Sequence, residues 1–167
     1  MRILGIDTSL RSTGFGVVES RGESVSAVDC GIIKNKSSLT HSQCLLRIAG
    51  GLEQLIYEYK PDEIAIESPF YHKSAKTAVI LGMAKGAVLT ACAKADLPIY
   101  EYAPKKAKKS VVGTGDASKQ QVAVMMSSIL NVDITFINDD ATDALALAVC
   151  HLNARKTLGG KLLGKPI

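Results

Sequence analysis

Arg2-Ile3-Leu4-Gly5-Ile6-Asp7 is the stretch on which the reading of this chain turns. It is apolar without alternation, as a strand covered on both faces must be, and it ends abruptly on an acid. A strand of that kind belongs in the middle of a sheet packed between helices. Outward from it, Gly14 and Gly16 lie in a second apolar segment through Val18, and a third candidate strand runs from about Val25 to Ile33. The turn residues Ser20-Arg21-Gly22-Glu23 separate the last two, so the first three strands read as an antiparallel meander.

The period changes after Thr40. Leu45, Ile48, Leu52, Leu55 or Ile56, and Tyr59 recur at three- and four-residue spacing, which predicts an amphipathic helix ending before Pro61. Glu63-Ile64-Ala65-Ile66-Glu67 is a second buried strand that closes on an acid. A long helix is expected from about Lys73 to Lys94, then a fifth strand over Leu97–Tyr102, with Pro98 marking a strand start or an edge. Ser118-Lys119-Gln120-Gln121 has the form of a capping box opening a helix through Leu130. Asn138 or Asp139 can cap a final helix through about Ala154. The order β-β-β-α-β-α-β-α-α gives an α/β domain over residues 1–154, a mixed five-stranded sheet flanked by helices, with 155–167 as a basic flexible tail.

Composition narrows the function. The 167 residues are 47% hydrophobic, enough for one core, and no apolar run suggests a membrane span or a signal peptide. Cys30, Cys44, Cys92 and Cys150 form no paired motif and read as reduced thiols of a cytoplasmic protein. Net charge is +4, and the surplus is clustered: Lys105, Lys106, Lys108 and Lys109, then Lys119, and Arg155, Lys156, Lys161 and Lys165 in the tail. Such clustering fits a phosphate-binding surface, although a solvated face produces it equally well.

Either Asp7 or Glu67 alone reads as a strand returning to solvent. Asp140 and Asp143, three apart at the start of the last helix, share a helical face and also suit the helix dipole. Together they say more. If the first and fourth strands are parallel neighbours, Asp7 and Glu67 emerge side by side at the edge where α/β sheets collect their chemistry, and the last helix can add Asp140 and Asp143. Four clustered carboxylates need a cation, and all-oxygen donors without a His or Cys set select Mg²⁺ or Mn²⁺. Two such ions suit in-line phosphodiester displacement.

Gly5-Ile6-Asp7, Thr13-Gly14-Phe15-Gly16, Ala65-Ile66-Glu67 with Phe70 behind it, Val111-Val112-Gly113-Thr114-Gly115 and Asp140-Ala141-Thr142-Asp143-Ala144-Leu145-Ala146 resemble RuvC-type Holliday junction resolvases in order and spacing. The resemblance covers roughly residues 1–152 and implies an RNase H-like fold. It implies a homodimer that nicks four-way junction DNA symmetrically in recombination and repair, with a branch-migration helicase complex as a further partner. Asp7, Glu67, Asp140 and Asp143 would be the ligands of Mg²⁺ or Mn²⁺, two ions per site. Lys108 and Lys119 match basic residues beside the active site, and Phe70 a position associated with base stacking. Lys105, Lys106 and Lys109 are expected on the DNA backbone. The resemblance places dimerisation on the long helix rich in small residues, from Ala75 to Ala93.

Thr8-Ser9 stands where such proteins usually carry Pro-Gly, a change in the turn after the first strand. Gly5-Ile6-Asp7-Thr8-Ser9 also resembles the opening of sugar-kinase, actin-like and heat-shock ATPases, which implies a single-lobed nucleotide-binding protein as a rival. Another RNase H-like nuclease, or a silent DNA-binding module, is the remaining alternative. His41 and His151 read as exposed or structural.

Overall fold

Five strands form one sheet in the order β3-β2-β1-β4-β5. The structure, a computed structural model, describes residues 1–68, 74–133, 137–157 and 163–167. β1 (Arg2–Asp7), β2 (Ser12–Arg21) and β3 (Ser24–Lys34) make the antiparallel meander; β4 (Glu63–Glu67) pairs parallel with β1, and β5 (Ile99–Tyr102) parallel with β4. The register sets Ile6 beside Ile66, so Asp7 and Glu67 leave the same sheet edge as neighbours. Pro98 immediately precedes the edge strand β5, where its missing N–H costs no ladder bond.

Period-two alternation divides the strand residues between two cores. Leu4, Ile6, Val17, Ile64, Ile66 and Ile99 face α1 (His41–Tyr59) and α2 (Ala75–Lys94). Ile3, Val18, Ala65, Tyr100 and Tyr102 face the opposite helical layer. That layer holds α3 (Pro104–Val112), α4 (Lys119–Leu130) and α5 (Asp139–Lys156). The expected capping box forms at Ser118 with Gln121, and α1 opens on a second one, at Thr40 with Gln43, that the sequence reading had not named. α5 starts from the cap of Asn138 and extends two residues beyond Ala154, so Arg155 and Lys156 of the expected tail are helical.

α3 corrects the sequence reading, which had no helix between β5 and the capping-box helix. It was hidden because only Ala107 and Val111 carry its apolar face, and its four lysines read as surface. Pro104 opens it at a position where no N–H is needed, and Gly113 ends it at φ 90°.

Three glycines set the depth of α5. A Cβ on Gly5 would stand 2.0 Å from the Ala144 carbonyl oxygen, one on Gly14 2.0 Å from that of Asp140, and one on Gly16 2.7 Å from the Leu145 nitrogen. These are backbone atoms of α5, and they cannot swing aside. The glycines therefore form a groove in β1 and β2 in which α5 lies against bare backbone, and this seats the start of α5 beside Asp7.

Candidate active site

Asp7, Glu67 and Asp143 line one small cleft of about 130 Å³, together with Pro104, Ala107, Lys108, Val122, Ala146 and Leu147. Its two acid-bearing strand ends come from β1 and β4, its third acid from the first turns of α5, and its wall from α3 and α4. Asp140 stands one helical turn before Asp143, and the hydroxyl of Ser12 at the start of β2 donates to its Oδ2. Asn138 Oδ1 accepts from the Asp140 N–H at 2.9 Å and fixes the helix start.

The electrostatics show how crowded the carboxylates are. Burial, then the charges of Glu67, Asp143 and Asp140, push the Asp7 carboxyl up to about 7, and Lys119 only partly opposes this. Asp143 is raised by burial against the pull of Lys119 and Lys108. Lys119, first residue of α4, lies 3.7 Å from Asp143 and 3.5 Å from Asp139. Despite some burial, Asp143 and Asp139 hold its ammonium above the ordinary range. Among the described residues, no three His, Cys, Asp or Glu side chains already stand close enough to share one ion.

The basic residues divide by helical face. Positions 104, 107, 108 and 111 share the inward side of α3. Lys108 thus enters the cleft wall, where its ammonium donates to the Ala117 carbonyl at 3.0 Å. Lys105, Lys106 and Lys109 point outward and are exposed; Lys105 pairs with Asp116 and Lys106 lies over the Tyr102 ring. Asp139 is exposed, and the cap belongs to Asn138. Phe70, with Tyr71 and His72, lies outside the described residues. The sequence reading missed Ser12 and the cleft wall from Pro104 and Ala107; a polar residue opening a buried strand was the one visible signal for Ser12.

A sheet in this order, with acids closing its first and fourth strands and two more on the helix laid across it, defines the RNase H-like class of α/β nucleases. Within that class, the family described as "Crossover junction endodeoxyribonuclease RuvC" matches residues 3–151, and the chain belongs to this family. Proteins of that name are similar to it at 46% identity in Protochlamydia amoebophila, covering 89% of each chain, and at 42% in Ruminiclostridium cellulolyticum, covering 98% of each. The solved RuvC of Thermus thermophilus in complex with a Holliday junction substrate superposes with a TM-score of 0.91 at 28% identity. That match covers 100% of this chain and 99% of that one. The yeast mitochondrial Holliday junction resolvase Ydc2 shares the fold, with a TM-score of 0.64 at 13% identity over 90% of this chain and 78% of its own. The nucleotide-binding alternative is not favoured by these matches.

Proposed function

We propose that this chain is a Holliday junction resolvase whose cleft of Asp7, Glu67 and Asp143, completed by Asp140, cuts DNA with the help of divalent metal. The observation that carries this is the convergence of these acids in one cleft beside Lys108 and Lys119, in a member of the RuvC family. The donor set fits a hard cation: it is all carboxylate, and the excess negative charge that raises Asp7 is what a bound cation would relieve. Asp7, Glu67, Asp140 and Asp143 would hold Mg²⁺ or Mn²⁺, two ions per site. When bound, the metal supplies Lewis-acid activation of water and neutralisation of the leaving oxygen.

The protein's own groups do the rest. Lys119, 60% exposed, would exchange Asp143 for a phosphate oxygen when DNA enters. Lys108, braced on the Ala117 carbonyl, places a second positive charge in the wall. Lys105, Lys106 and Lys109, on the outer face of α3, extend that charge along the path of the duplex arm. Phe70 follows Glu67 closely in the chain and is the candidate for stacking on an unpaired base.

The symmetry of the substrate calls for two copies. α2 is long and apolar enough by composition to cross a bilayer, but Lys85 in its middle is ion-paired with Glu101 and one side packs on α1. Its other side exposes Val79 and Met83 around Gly82 and Gly86, where an added Cβ would meet open space. A second copy of α2 is the partner proposed for this face, giving two clefts related by a two-fold axis. A branch-migration helicase and a cytoplasmic setting complete the reading.

The test is a labelled synthetic four-way junction beside a matched linear duplex, with Mg²⁺ or EDTA. Paired symmetric nicks confined to the junction and lost in EDTA are expected. Asp7→Asn should lower cleavage on the order of a thousandfold while junction binding is retained; cleavage at the wild-type rate would overturn the site.

A further inference from the structure

Beneath the cleft, at the far end of the α5–sheet interface, lies a polar network that the reaction does not use. His151 of α5 is fully buried, with Nε2 2.5 Å from Glu63 Oε2 and Nδ1 2.6 Å from the Tyr102 hydroxyl. Glu63 is buried too, and Arg155 completes its carboxylate from Nε at 2.9 Å and from its terminal nitrogen. Burial pushes the His151 ring down to about 4, so it is neutral. A carboxylate can only accept, so Nε2–H donates to Glu63 and Nδ1 accepts from Tyr102.

The geometry ties this network to the cleft. α5 runs antiparallel to β4, and eight residues separate Asp143 from His151, a rise of about 12 Å. Glu63 and Glu67 are four strand residues apart, about 13 Å, on the same face. The His151–Glu63 contact and the cleft that Asp143 and Glu67 both line therefore stand one above the other between the same helix and strand. Tyr102 adds a further tie, because its Cα is the register partner of Glu67 and its hydroxyl reaches His151.

Apolar side chains fill this interface as well, Leu145, Leu147, Val149 and Leu152 of α5 clustering with Ile3, Val18 and Tyr100 of the sheet. Where Gly5, Gly14 and Gly16 of β1 and β2 meet α5, the strands themselves contribute no side chain, and the contact there has no direction. Directional bonds from one rigid ring, held on two strands, add the fixed orientation that non-directional apolar packing does not. We infer that His151 is a positioning residue: bridged between Glu63 and Tyr102, it fixes the height and rotation of α5 and so sets Asp143 and Asp140 against Asp7 and Glu67. This rests on the metal-site reading above.

The test uses the full chain with His151→Leu, His151→Gln and Tyr102→Phe, each checked for folding by circular dichroism. Mn²⁺ binding without DNA is followed by the electron paramagnetic resonance signal of free Mn²⁺, and cleavage by its Mg²⁺ midpoint. His151→Leu should weaken Mn²⁺ binding and raise the Mg²⁺ midpoint on the order of tenfold, with junction affinity in EDTA unchanged. His151→Gln, which can still donate and accept, should recover most of the loss. A folded His151→Leu with wild-type Mn²⁺ affinity and midpoint would overturn the inference and leave His151 a core residue. If His151→Leu does not fold, Tyr102→Phe decides, with a shift of about threefold expected and no shift overturning it. A wild-type protein that binds no Mn²⁺ removes the metal reading itself, an outcome distinct from wild-type binding that the variants merely match.

Discussion

The two faces of the sheet are built differently. Against α1 and α2, the sheet presents Leu4, Ile6, Val17, Ile64 and Ile66, packed on Ile48, Leu52, Ala84 and Val88. That side is branched aliphatic packing, which tolerates exchange of similar volumes. Against α5, the sheet presents Ile3, Val18 and Tyr100 but also three glycines and a polar network, and every active-site acid lies on this side. Both faces carry a buried core; the α5 face adds close backbone approach and bonds with direction. Sites that must bring four acids within range of each other need the second kind of face.

The largest effect that would break this comparison is a methyl group on the α5 side. Gly14→Ala drives its Cβ into the Asp140 carbonyl and should cost about 3 kcal/mol or more, lowering the denaturation midpoint sharply and disordering the cleft. Gly51→Ala, on α1, meets side-chain atoms of Ile33 and no backbone, the nearest being the terminal Cδ1 at 2.8 Å, and should change stability by less than about 1 kcal/mol. Equal losses in urea melts would mean that the faces do not differ as described.

Replacing Asp7 sharpens the contrast through pH. An unfolded Asp titrates near 3.8, whereas folded Asp7 is pushed up to about 7, so the folded state holds that proton more tightly. Its contribution to stability is fully present below about pH 4 and is lost as pH rises through 7. In EDTA, Asp7→Asn should therefore be more stable than wild type by about 1–3 kcal/mol at pH 8, with the difference vanishing towards pH 4. His151 runs the other way, being lowered from 6.5 to about 4, but it is common to both proteins and cancels in the difference. A gap that grows towards acid would show that Asp7 is not crowded by its neighbours.

On the α1/α2 side the prediction is plainer. Ile48→Val should cost about 1 kcal/mol and leave the metal midpoint of cleavage where it was. Val79→Glu with Met83→Glu, on the outward side of α2, should convert a dimer into a folded monomer in analytical ultracentrifugation. A dimer that persists would move the two-fold interface elsewhere.

How much of this was legible follows the same division. β1, β4, α1 and the capped start of α4 announce themselves through apolar period and capping residues, local signals that survive in a one-dimensional text. Asp7 and Glu67 could be paired in advance only on the condition that the first and fourth strands are parallel neighbours, and the register meets that condition. α3 could not, since a helix whose inward face is two small apolar residues and a lysine has no hydrophobic period to read. The depth of α5 and the Ser12–Asp140 contact were also hidden, because a glycine in a strand does not reveal which backbone approaches it. His151 was read as structural or exposed, and its burial between Glu63 and Tyr102 depends on residues 88 and 49 positions away.

The smallest effect concerns Asp139, the acid that stands beside the site without entering its cleft. Asn138 already caps α5, and Asp139 is exposed, with Lys119 at 3.5 Å as its partner. An exposed pair of that length contributes little once solvent and salt screen it. Asp139→Asn should leave thermal stability within about 0.5 kcal/mol of wild type and cleavage within about twofold. Asp143→Asn, four residues later and inside the cleft, should abolish cleavage. A loss with Asp139→Asn as deep as that with Asp143→Asn would mean that Lys119 is held for catalysis by Asp139, and that the working site extends past the edge of the cleft to the exposed end of α5.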